Sequence, residues 1–179
     1  MATVGYDLYC RMLEDAVKLI KGEIEDETVD TTIELRVDAY IPSQYIEDEL
    51  QKIEIYKKIA VIEDNEDYEE VREELLDRYS DIPQTVLNLM DIAYIKNKAK
   101  SIFIEEIKEE GNYVIFKFAL NSKGRIDIMK KLMLNYKEFV VIRFGDSSCF
   151  YIKHNGINKI ECLQFLKEII DFISKKQKN

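Results

Sequence analysis

Apolar residues recur along this chain first at helical spacing and later at strand spacing, and the change of period divides it. Tyr6, Tyr9, Met12, Leu13, Ala16, Val17 and Ile20 share one side of a helix ending near Gly22. Residues 23–30 are acidic and poor in apolar positions, which predicts a linker. Ile33, Leu35, Val37, Ala39 and Ile41 then alternate with Glu34, Arg36, Asp38 and Tyr40, a strand with one buried face that Pro42 stops. Ser43 is placed to cap a helix carrying Ile46, Leu50, Ile53, Tyr56 and Ile59.

Two further helices meet across Ser80-Asp81-Ile82-Pro83. In the first, Tyr68, Val71, Leu75 and Tyr79 make an apolar stripe, while Glu66, Glu70, Glu73, Glu74 and Asp77 fall opposite. The second opens at Pro83, a residue suited to a first helical turn, and is apolar over most of its circumference from Val86 to Ile95. Such a helix is buried on several sides, so the first is expected to lie over it with its carboxylates outward.

After Ser101 the period falls to two. Residues 102–108 and 112–120 flank Glu109-Glu110-Gly111 as a hairpin, and residues 139–144 and 149–153 form a second one. A helix with Ile126, Met129, Leu132, Met133 and Tyr136 on one side lies between them, and one with Ile160, Leu163, Leu166, Ile170 and Ile173 closes the chain. Helices first and hairpins later predict an α+β fold: a helical N-terminal half packed with a small antiparallel sheet of hairpins covered by helices. Residues 31–179 are expected to form the compact domain, with residues 1–30 outside it.

The net charge of −9 matters through its distribution. Residues 63–81 hold ten acids against Arg72 and Arg78. That surface repels phosphate backbones, so no direct DNA binding is expected of it. It is either a solvated face or a docking face for a basic partner. No apolar run approaches the ~20 residues that cross a bilayer, and the amphipathic first helix is no signal peptide. Cys10, Cys149 and Cys162 form no CxxC pair, and so few cysteines suit a reducing cytoplasm.

Catalytic signatures are missing. The six glycines are too scattered for GxGxxG or GxxxxGK[ST]. His154 is the sole histidine, which removes the common two-histidine metal sites and weakens any Ser-His-Asp arrangement. Cys149, five residues upstream, reads as a structural thiol rather than a nucleophile. Carboxylate pairs such as Glu70/Glu74 and Glu74/Asp77 would be poor general acids on an exposed helix. Lys123, Arg125, Lys130, Lys131 and Lys137 cluster around one helix, as a solvated face or a phosphate contact. Tyr68 and Tyr79 read as core, and no aromatic series interleaves with Lys or Arg along the chain in a way that suggests base stacking.

Several segments, taken jointly, resemble one family. Gly5-Tyr6-Asp7-Leu8-Tyr9-Cys10-Arg11-Met12-Leu13-Glu14, Glu34-Leu35-Arg36-Val37, Ala39-Tyr40-Ile41-Pro42, Ile55-Tyr56-Lys57-Lys58-Ile59-Ala60 and Glu74-Leu75-Leu76-Asp77-Arg78-Tyr79 are similar, in this order, to the C-terminal region of the bacterial transcription-repair coupling factors, the Mfd family. The similarity is strong from Gly5 to Lys100 and diffuse after Ile102. It implies a fragment of an ATP-dependent double-stranded DNA translocase that displaces stalled RNA polymerase and recruits excision repair. Residues 31–179 would be its C-terminal regulatory (TRCF) domain, and residues 1–30 a linker helix and acidic linker from the preceding motor. The resemblance implies that this domain folds back on the N-terminal UvrB-like module, masks its UvrA-binding surface and restrains the motor. Arginines of that module would face Glu74, Asp77 and Arg78, with Glu70 alongside. ATP and Mg would belong to the parent's motor domains, with no cofactor in this fragment. The family's Phe-Gly stands here as Tyr79-Ser80, which questions how that helix ends.

The leading expectation is therefore a non-enzymatic, autoinhibitory interaction domain that binds the UvrB-like module directly and UvrA and RNA polymerase only indirectly. The alternatives are a nucleic-acid-binding accessory domain using the basic residues 123–137 and a hydrolase using paired carboxylates.

Overall fold

A computed structural model describes residues 29–119, 124–143, 148–154 and 158–175. The helix expected over residues 5–21 and most of the acidic linker lie outside the described residues. The chain divides into two compact units, one of residues 37–94 and one joining residues 29–36 to those from 95 onward.

The first unit holds α1 (Glu49–Ala60), α2 (Asn65–Tyr79) and the greater part of α3 (Gln84–Ser101). Helix α2 buries Tyr68, Val71 and Leu75 of the stripe that its spacing predicts, while Tyr79, expected with them in the core, is only half-buried. Tyr68 meets Tyr94 of α3 edge to face, with ring centroids 6.3 Å apart. Val86, Leu89, Met90, Ile92, Ala93 and Tyr94 are all buried, so α3 is indeed enclosed over most of its surface. Pro83 receives its first backbone bonds, from the N–H groups of Val86 and Leu87.

Helix α1 departs from expectation at its start. Its cap is Asp48, whose carboxylate accepts from the Gln51 N–H at 2.8 Å, and not Ser43. Residues 42–46 form a turn in which the Tyr45 and Ile46 N–H groups donate to the Pro42 carbonyl. Its buried face also differs: Ile55 and Ile59 are buried, whereas Leu50 is 78% exposed. Lys52 fills the inner position instead, its ammonium donating to Glu49 and, at 3.4 Å, to the Ser43 hydroxyl.

The strand expected over residues 33–41 shortens to β1 (Thr32–Glu34). Its alternation of burial nevertheless continues to Ile41. From residue 38 on, single bonds replace a ladder. Asn88 donates to the Asp38 carbonyl, the Tyr40 N–H to the Thr85 carbonyl, and the Ile41 N–H to the Tyr56 hydroxyl.

The second unit contains β1, β2 (Ile104–Glu110), β3 (Tyr113–Phe118), α4 (Arg125–Asn135), β4 (Val140–Arg143), β5 (Cys149–Lys153) and α5 (Lys159–Ser174). Its five strands are ordered β1-β2-β3-β5-β4. The two hairpins pair antiparallel as expected, but β1 joins β2 in parallel, so the sheet is mixed. Parallel pairing needs a long crossover, and the three helices of the first unit supply it. One face of the sheet buries Ile104, Ile107, Val114, Phe116, Phe118, Phe150 and Ile152. The Phe116 and Phe150 rings stack there at 4.7 Å. Helices α4 and α5 bring Ile128, Leu132, Leu163, Leu166 and Ile170 to the same core. The fold is α+β.

Helix α2 ends at Ser80, whose φ of 69° and ψ of −147° lie in a region that glycine adopts freely and serine does not. Relief of that strain outweighs the entropy that glycine loses on folding, so Ser80→Gly is expected to raise stability by about 1 kcal/mol. A urea midpoint unchanged or lowered in this variant would show the serine conformation to be unstrained.

Candidate interaction surface

Seven of the ten acids of residues 63–81 fall into three groups with different work to do, while Glu69 pairs with Arg72 at 2.9 Å. Asp64 and Asp67 close the start of α2. The Asp64 carboxylate accepts from the N–H groups of Glu66 and Asp67, and the Asp67 carboxylate accepts from that of Glu63. Negative charge at this end also faces the positive end of the helix dipole.

The second group is internally paired. Glu74 is half-buried, and both of its oxygens accept from the Lys58 ammonium of α1 at 2.7 Å. The same carboxylate accepts from Arg78 at 2.6 Å. Glu54 completes the set, 3.3 Å from Lys58 and 3.7 Å from Arg78. Lys58, with desolvation opposing and Arg78 adding, holds the Glu74 carboxyl below the usual range, and Glu74 in turn raises the pKa of Lys58 and of Arg78. The Arg78 guanidinium also lies 5.0 Å above the Tyr79 ring, whose hydroxyl donates to Gln51. Arg78 is thereby pinned at the end of α2.

The third group is Glu66, Glu70, Glu73 and Asp77, spaced four, three and four residues apart and so aligned along one edge of the helix. All four are exposed, and among the described residues none makes an ion pair. Leu76, 41% exposed, lies beside them. A row of unpaired carboxylates flanking an apolar side chain and a pinned guanidinium is equipped to meet arginines or lysines of another surface.

The four residues singled out from the sequence thus separate. Glu70 and Asp77 stand open to solvent, and Arg78 is positioned but already bonded. Glu74 is not the open carboxylate expected beside Asp77: it joins α1 to α2. Glu66 and Glu73 complete the open row. Nothing in the sequence pairs Lys58 with Glu74, because the two sit on different helices sixteen residues apart.

Other chemistry finds little support. A general acid needs a raised pKa, and the one carboxyl of α2 with a shift is lowered. The buried Cys149 thiol donates to the Tyr151 hydroxyl at 3.5 Å, while the His154 ring lies 3.9 Å from Glu109 on another strand. Burial, with Glu109 adding, pushes the Cys162 thiol up to about 11, away from reactivity. Among the described residues no three His, Cys, Asp or Glu side chains are placed to hold a metal ion, and no helix is long and apolar enough to cross a membrane. On α4, Lys130 lies 3.8 Å from Asp127 and Lys131 donates to the Lys175 carbonyl, while Lys123 is outside the described residues.

Comparison with known proteins converges on one group. The model of the TRCF domain matches residues 35–130. The transcription-repair-coupling factor of Staphylococcus epidermidis is 41% identical over 128 residues, covering 70% of this chain and 11% of the relative. That of Staphylococcus aureus is 39% identical over 127 residues with the same coverage. The chain therefore spans about a tenth of the length of these curated relatives. A crystal structure of the C-terminal domain of a transcription-repair coupling factor superposes with a TM-score of 0.75 at 25% identity, covering 86% of this chain and 99% of the other.

Proposed function

The chain belongs to the TRCF-domain family, and on that premise we propose that it is the non-catalytic regulatory domain of a transcription-repair coupling factor, docking on the UvrB-like N-terminal module of its parent chain. The open row Glu66, Glu70, Glu73 and Asp77 is the observation that carries this reading. Docking there would mask the surface by which the module takes up UvrA and would restrain the parent motor, an ATP- and Mg-dependent DNA translocase acting on stalled RNA polymerase in the cytoplasm. Glu74 serves the same function indirectly. By holding Arg78 and Lys58 it fixes the shape of the surface, while the row supplies the charge. Such rim charges set orientation and salt dependence more than affinity.

Isothermal titration of this chain into the isolated UvrB-like module of the same coupling factor tests the reading. Binding is expected at low salt and should weaken steadily as salt is added. Glu73→Lys combined with Asp77→Lys should weaken it at least about tenfold. Tethering supplies an effective concentration on the order of millimolar, so a modest affinity between separate pieces would suffice. No heat and no chemical-shift change at low salt, with both partners folded, would end the proposal.

A further inference from the structure

The two units carry opposite charge. Residues 37–94 hold sixteen acidic and five basic residues, whereas the described part of the second unit holds fifteen basic and eleven acidic ones. The negative net charge of the chain therefore says little about the sheet. The sheet face opposite the core is only partly covered, and the strand register brings together on it residues that lie far apart in sequence. Tyr113 is in register with Lys153, Ile115 with Tyr151, and Tyr151 in turn with Val141. One row further along, Lys117, Cys149 and Arg143 align.

Aromatic and basic side chains thus interleave across β3, β5 and β4, although they do not do so along the chain. The Tyr113 and Tyr151 rings meet edge to face at 6.2 Å, and the Arg143 guanidinium lies 5.5 Å from the Tyr151 ring centre. Arg143 and Lys153 are exposed, and among the described residues neither makes an ion pair. Lys117 is bonded to Glu105 at 2.6 Å. Glu34, Glu106 and Glu110 lie on the β1–β2 side and bound the basic area there.

We propose that the β3-β5-β4 face is a binding surface for single-stranded nucleic acid, with Tyr113, Tyr151 and the Arg143 guanidinium as stacking planes and Arg143 and Lys153 as phosphate contacts. Three features select this partner. Ring faces and a guanidinium plane offer every base a stacking contact without regard to sequence. Exposed, unpaired cations match an anionic backbone. A three-stranded strip about 10 Å across, at ~4.8 Å between strands, suits splayed bases, whereas a duplex would keep its bases stacked inside and leave the tyrosines idle. This surface lies in a different unit from the acidic row and does not depend on the docking proposal.

Fluorescence anisotropy of fluorescein-labelled oligothymidylate and oligouridylate, titrated with the whole chain, provides the test. Binding at low salt should decline with salt at a log–log slope near −1.4, for two phosphates at about −0.7 each. Tyr151→Ala should weaken it about tenfold, while Tyr151→Phe, which keeps the ring, should not. Arg143→Glu with Lys153→Glu should abolish it. Circular dichroism of each variant separates loss of contact from loss of fold. The proposal is overturned by no binding at low salt, by equal or tighter binding to a duplex of the same length, by displacement with polyglutamate at matched charge, or by indifference to Tyr151→Ala in a folded variant.

Discussion

Leu75→Ala is expected to lower the unfolding free energy by about 2–5 kcal/mol, read as a urea midpoint that falls at unchanged slope. Leu75 has no exposed surface and follows Tyr68 and Val71, one turn beyond the latter, on the inner stripe of α2. Cutting it to a methyl group removes its contacts and leaves a cavity that the enclosed α3 has little room to fill. Its neighbour Leu76, 41% exposed, provides the control: Leu76→Ala should change stability by no more than about 0.5 kcal/mol. Because α2 carries the open acids, the first variant should also weaken the docking proposed above, through disorder of the helix and not through charge. Equal midpoints for the two variants would mean that α2 is not seated as described.

Glu74→Ala should cost about 1–2 kcal/mol at neutral pH, more than an isolated surface pair, because two cations share its half-buried carboxylate. The pH dependence follows from the direction of the shift. The Glu74 pKa is lowered in the folded chain by Lys58 and Arg78. Its contribution is therefore complete above the unfolded glutamate value of about 4.3 and is lost as pH falls through the lower folded value. The gap between wild type and Glu74→Ala should narrow as the solution is taken below about pH 4. A gap of constant size across that range in the folded chain would assign the effect to packing. Lys58→Met combined with Glu74→Ala should cost less than the two single changes added together, since the pair is in direct contact.

Much of the fold could be read from periodicity where burial is one-sided. Tyr68, Val71 and Leu75 repeat at the helical period because α2 has one buried face, and the apolar girth of α3 reports its enclosure. The hairpins and closing helices also lie close to their expected bounds, except that β2 runs on through Glu109 and Glu110, which pair with Val114 and Tyr113, so the turn is Gly111-Asn112 and not Glu109-Glu110-Gly111. Helix α1 starts after Asp48 and not at the expected Ser43, because the chain turns at Pro42 and the Asp48 carboxylate then accepts from the Gln51 N–H. Leu50, expected inside, is exposed, and Lys52 takes an inner position in its place. The strand expected over residues 33–41 kept its alternation but lost its ladder, since alternation records burial and not which neighbour supplies hydrogen bonds.

The interaction surface was legible only as charge. Ten acids in a short stretch were plain, but their partition among capping, internal pairing and open display depends on α1, which contributes Lys58 and Glu54 from outside the stretch. Ser80 is the instructive exception. Its departure from the family's glycine pointed to a backbone conformation that serine adopts at a cost, and Ser80 has the positive φ. The tyrosine and arginine cluster of the sheet could not be anticipated, because Tyr113, Arg143 and Tyr151 become neighbours only through strand register.

The outermost strands of the sheet are three and four residues long. Each leaves only a few amides and carbonyls available for another chain to extend by templated addition. Edge-to-edge aggregation through this sheet is thereby disfavoured.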